Sequence, residues 1–77
     1  MKFHIGDSVL ITRNFDGAYC KGVTGTVIRI GTYGRYGLKL DKPQKFGHTM
    51  LGMVPRGYGW SAREESLTLL DSFEGNI

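Results

Sequence analysis

Short runs of alternating apolar residues, each closed by glycine, leave this chain few architectures other than an all-β one. Residues 8–13 (SVLITR) are β-branched and alternating, so Val9 and Ile11 are expected to face a core while Thr12 and Arg13 lead to solvent. Residues 24–30 (TGTVIRI) form a second run bounded by Gly25 and Gly31. Val27, Ile28 and Ile30 cannot share one face of a flat strand, which predicts a strongly coiled strand serving both halves of a small barrel. In residues 36–40 (YGLKL), Tyr36, Leu38 and Leu40 alternate with Gly37 and Lys39, giving one apolar face. Twelve glycines against two prolines supply the tight turns that such short strands need.

The connections carry their own signals. Residues 3–7 (FHIGD) read as a lead-in. Asn14-Phe15-Asp16-Gly17 is a turn signal, and 31–35 (GTYGR) reads as a hairpin tip. Residues 41–60 (DKPQKFGHTMLGMVPRGYGW) have no readable period and rejoin a strand near Tyr58-Gly59-Trp60. Ser61-Ala62-Arg63-Glu64 has capping-box spacing and predicts one short helical or 3₁₀ turn. Residues 67–70 (LTLL) then make the last strand, with Leu67 and Leu69 inward. Residues 71–77 form a polar tail after a single domain spanning 1–70.

Seventy-seven residues support one core, and a domain of this size is marginal unless a partner or second copy adds burial. The lone Cys20 allows no internal disulfide. No signal-peptide core or membrane-length apolar run is present, so a reducing cytoplasm is the expected compartment. Residues 1–63 hold all ten Lys and Arg against Asp7, Asp16 and Asp41, a net +7. Residues 64–77 hold Glu64, Glu65, Asp71 and Glu74 with no base, a net −4. A basic body suits an acidic protein surface or a polyanion, although mixed surface charge also serves solubility alone.

The ordered residues resemble known families. Gly6-Asp7 with Val9 and Ile11, then Gly22, Gly25 and Val27, resemble the opening of SH3-like barrels, including KOW-type modules and the photosystem I accessory subunits. Tyr36-Gly37, Asp41-Lys42-Pro43, Gly47-His48, Gly52, Gly57, Gly59-Trp60 and Glu65-Ser66-Leu67 are similar to a set of short bacteriophage and bacterial proteins. That set often has a second aromatic after the tryptophan, where Ser61 stands here. The resemblance implies a five-stranded SH3-like barrel with one 3₁₀ turn before the last strand. Fold alone assigns no function.

Catalysis would need a nucleophile beside a base. Cys20 with His48 or His4 is the only such pairing, and its spacing matches no protease signature, so no enzyme is expected. Metal binding by His4, Asp16, Cys20 and His48 lacks the close ligand pairs of structural zinc sites, and no cofactor is expected. His48 is expected to orient its own loop through a ring nitrogen. Gly31, Gly34 and Gly37, like Gly57 and Gly59, lack the strand-to-helix context of a phosphate-cradling loop.

Aromatic residues interleaved with basic ones point instead to binding. Tyr36 and Trp60 are expected to plug the barrel, leaving Tyr19, Tyr33, Phe46 and Tyr58 at the surface. Met50 to Val54 either caps the barrel's open end or forms a contact patch. The expected partner-binding residues are Tyr33, Arg35, Lys45, Phe46, His48, Met50, Met53, Arg56 and Tyr58. The leading expectation is a non-catalytic module of phage or prophage type that docks on a host protein in the host cytoplasm. The alternatives are an RNA- or single-stranded-DNA-binding barrel, and a homo-oligomeric subunit joined through an edge strand or residues 70–77.

Overall fold

The alternating runs form strands β1 (Ser8–Ile11), β2 (Thr24–Ile30), β3 (Arg35–Leu40), β4 (Gly59–Arg63) and β5 (Leu67–Leu69) in a computed structural model that describes residues 3–15 and 18–70. All neighbours pair antiparallel in one sheet of order β4-β3-β2-β1-β5, and a 3₁₀ turn, Glu64–Ser66, precedes the last strand. The all-β, five-stranded expectation therefore holds. The sheet does not close: β5 pairs with β1, and β4 and β5 remain its two edges. The expected turn at Asp16-Gly17 and the tail at 71–77 lie outside the described residues.

One core sits on the inner face of this sheet. Val9 and Ile11, Val27, Tyr36, Leu38 and Leu40, Ala62 and Leu67 converge there from all five strands, joined by Phe3 and Cys20. Burying each large side chain contributes roughly 1.5–3 kcal/mol. Phe3 is more than a lead-in: its ring meets Tyr36 edge-on at 5.2 Å, and its N–H donates to Tyr36 Oη at 3.3 Å. The segment is fastened by Gly6 N–H donating to Val27 O and Val27 N–H donating to Asp7 O. Leu69 packs against the core while staying half-buried.

Two local expectations need correction. The β2–β3 register shifts between Val27 and Arg29, so Ile28 is the extra residue of a bulge, and this reconciles three neighbouring apolar residues with one strand. The Ser61–Glu64 capping box does not form. Ser61 and Ala62 lie in β4 opposite Gly37 and Tyr36, and the 3₁₀ turn starts later from an extended Arg63 with no side-chain cap. Ladder pairing with β3 outcompetes a single local side-chain bond.

The hydrogen bonds of β4 have a definite phase. Gly59 exchanges both of its backbone bonds with His48, on the side away from β3, and Leu40 N–H donates to Tyr58 O on the β3 side. Alternation then turns Trp60 and Ala62 toward β3 and turns the backbone groups of Ser61 and Arg63 outward. In the free protein the Ser61 and Arg63 amides should exchange with solvent at least about tenfold faster than those of Trp60 and Ala62. Residue-resolved hydrogen exchange by NMR tests this, and equal protection of all four would contradict the phase.

Candidate docking surface at the β4 edge

Within residues 41–58, the turn at Met50 folds back over the outer face of the sheet, while Phe46 packs against the core. Tyr36, Leu38 and Leu40 point inward, so Gly37 points outward, and Met50 lies over it. Gly59 permits the same approach at the next strand: a Cβ there would stand 2.6 Å from His48 O and 2.8 Å from Met50 N. Met50, Leu51 and Gly52 take positive φ in succession (53°, 57° and 86°), a strained turn for two non-glycine residues. It is braced by Gly52 and Val54 N–H donating to Thr49 O and by Met53 N–H donating to Met50 O. His48 Nδ1 accepts the Met50 N–H at 3.0 Å, the loop-orienting bond expected of this histidine.

This placement corrects the reading of 50–54 as an end cap. Met50 and Val54 are buried but lie apart from the main core cluster, whereas Leu51 (84% exposed) and Met53 face solvent. Met50 is therefore packing, not contact surface. Trp60 is only half-buried, so of the two expected plugs Tyr36 alone is fully buried, with Phe3 beside it. Trp60 instead gathers an aromatic group at β4: Phe46 edge-on at 4.6 Å, Phe15 at 6.4 Å and His48 at 6.1 Å. Phe46 is thus half-buried by Trp60 and only partly offered to a partner.

The second component is charge. Arg35 and Arg63 face each other across β3 and β4. The phase of the ladder makes theirs a non-hydrogen-bonded pair, where Cα atoms approach to about 4.5 Å and side chains are closest. Like charges directly opposite are unfavourable, here by an order of a few tenths of a kcal/mol for exposed groups. Arg29 and Lys39 lie on the same outer face, with Gly37, Gly59 and Ser61 between them. Among the described residues no carboxylate pairs with Arg13, Arg29, Arg35, Lys39 or Arg63; the ion pair present joins His4 and Asp7.

Where the sheet stays open, a slot follows the β4 edge. Ile11, Cys20 and Ala62 form its buried floor, Phe15 and Trp60 its aromatic wall, and Arg13, Arg35 and Arg63 its rim. Its cavity is about 40 Å³. A single water needs about 10–15 Å³ on this measure, so the slot suits one small side chain and not a folded small-molecule ligand. The Cys20 thiol at its base donates to Arg13 O at 3.3 Å.

The nine residues expected to bind are spread along β3, β4 and the excursion. Tyr33 (97% exposed) and Arg35 stand at the start of β3. Phe46 and His48 lie beside Trp60 and Gly59, opposite Leu38 and Lys39 of β3, and Tyr58 meets Leu40 at its far end. Lys45, His48 and Arg56 are exposed, and Tyr58 is half-buried with its carbonyl held by Leu40. Arg13, Phe15, Arg29, Arg63 and Trp60 complete the surface without having been expected there. Their proximity depends on the β3–β4 register, which no local spacing reveals.

Among the described residues no group of three or more His, Cys, Asp or Glu could hold a metal ion, and no helix is long and apolar enough to cross a membrane. Comparison with protein families, curated proteins and solved structures found no match. The close approach at Gly59 has a direct test. Gly59→Ala should destabilise the fold by about 1–3 kcal/mol, because the clash is with backbone. Gly37→Ala should cost less, because the flexible end of Met50 can move aside. Urea unfolding of both variants measures the difference, and equal costs would contradict this account of the docking.

Proposed function

We propose that this chain is a non-catalytic binding module that docks an acidic segment of a protein partner on the β4 side of its sheet. The observation that carries the reading is the facing pair Arg35 and Arg63, both exposed and, among the described residues, in no ion pair. A surface that retains such a pair gives up a little stability, and an anionic partner would convert the repulsion into attraction. The aromatic group at Trp60 and the exposed Phe15 add apolar contact area beside the charges, the combination typical of strong interface positions. The slot favours a protein segment, because it accommodates a side chain.

A second reading, binding of single-stranded nucleic acid, draws on Tyr33, which is almost fully exposed beside the same basic row and could stack on a base. Salt dependence with an oligonucleotide separates the two, since phosphate contacts weaken steeply as salt rises.

Arg63→Gln tests the proposal from two sides. Relief of the like-charge pair should raise unfolding stability by about 0.2–1 kcal/mol. The same variant, immobilised and exposed to nuclease-treated lysate of the source cells, should lose protein that the wild type retains. A variant that is less stable, or that retains the same proteins as the wild type, would contradict the assignment.

A further inference from the structure

We infer that the partner segment binds as an added strand on the outer edge of β4, with acidic residues alternating with small apolar ones. The inference rests on the docking reading and specifies its mode.

Three observations converge on this edge. The first is the phase of the ladder, which turns the N–H and C=O of Ser61 and the N–H of Arg63 away from β3, with no described backbone partner there, while the Arg63 C=O is taken up by the 3₁₀ turn that follows. Backbone groups at a sheet edge template pairing with another chain. The second is His48, which already pairs with Gly59 as an isolated antiparallel bridge at the start of this edge. Gly47 N–H then donates to Gln44 O as the chain turns away, so among the described residues no backbone group pairs with Ser61 or with the Arg63 N–H on this edge.

The third is the distribution of side chains about the edge. A strand added beside Ser61 and Arg63 would place alternate side chains on the outer face, level with Arg35 and Arg63, and the intervening ones on the inner side. The outer positions meet guanidinium groups and favour carboxylates, which arginine can hold in bidentate fashion. The inner positions meet the slot floored by Ile11, Cys20 and Ala62, whose volume of about 40 Å³ suits a small apolar side chain better than an aromatic one. The recognised pattern is therefore acidic, small apolar, acidic. A nucleic acid could use the charges but offers no alternating amide and carbonyl groups to the ladder.

The test is an NMR titration of the full ¹⁵N-labelled chain with capped Glu-Val-Glu-Val-Glu. Two further versions carry N-methyl groups, on the Glu amides or on the Val amides. Strand addition uses amides of one parity only, so one methylated version should lose binding by about tenfold or more while the other retains it. The shifts should centre on Ser61 and Arg63. Ser61→Pro removes an edge N–H that has no β3 partner, a position where proline is tolerated, and should weaken binding by a similar factor with the fold intact.

Equal binding of all three peptides, with full affinity for Ser61→Pro, would overturn strand addition and leave acidic docking standing. Absence of any shift with the peptides would overturn the docking reading as well. Salt-sensitive shifts with oligothymidylate alone would assign the surface to nucleic acid.

Discussion

The fold depends on the burial of Tyr36 at the centre of β3. Its ring is almost fully enclosed, and a phenol placed there must find partners for its hydroxyl. It accepts the Phe3 N–H and reaches Glu64 Oε1 at 3.5 Å, so one side chain ties the N-terminal segment and the 3₁₀ turn to the middle of the sheet. Its inward orientation also sets the phase of everything beside it. Leu38 and Leu40 follow it into the core, and Arg35, Gly37 and Lys39 are left on the outer face. Through the β3–β4 register the same phase places Ala62 inside and Ser61 and Arg63 outside.

From that phase the proposed docking surface follows with few further assumptions. A glycine at 37 leaves the outer face flat enough for Met50 to lie across it, and glycine at 59 lets the backbone of His48 and Met50 approach β4. The excursion therefore covers one part of the outer face and leaves the edge beyond Gly59 uncovered. What lies uncovered is chemically uniform: arginines at the rim, aromatic rings along the wall, and backbone groups turned outward. Small domains usually guard an edge strand with charge, and Arg63 places a charge on this one.

Much of the scaffold is legible in the sequence because its signals are local. Alternation in 8–13 and 36–40 predicts which side chains of β1 and β3 point inward, and glycine clusters mark the turns. The extra apolar residue in β2 announces an irregularity, although a bulge at Ile28 resolves it where coiling was expected. The misread elements are those settled by distant pairing. Ser61-Ala62-Arg63-Glu64 has the letters of a capping box, yet ladder bonds to β3 hold its first residues extended. Phe3 looks like part of a lead-in until the non-local contact with Tyr36 makes it core. The site was legible only in part for the same reason. Its aromatic and basic residues are visible one by one, but the opposition of Arg35 to Arg63, and of Phe15 to Trp60, exists only once strands far apart in sequence are placed side by side.

We propose that the open edge of β4, and not the excursion, is where a partner sits. Residue-resolved amide exchange on the complex with a captured protein tests it most directly. Ser61 and Arg63 should gain protection on binding while the amides of residues 45–58 keep their free-state rates. Protection gained across residues 45–58, with Ser61 and Arg63 unchanged, would contradict it.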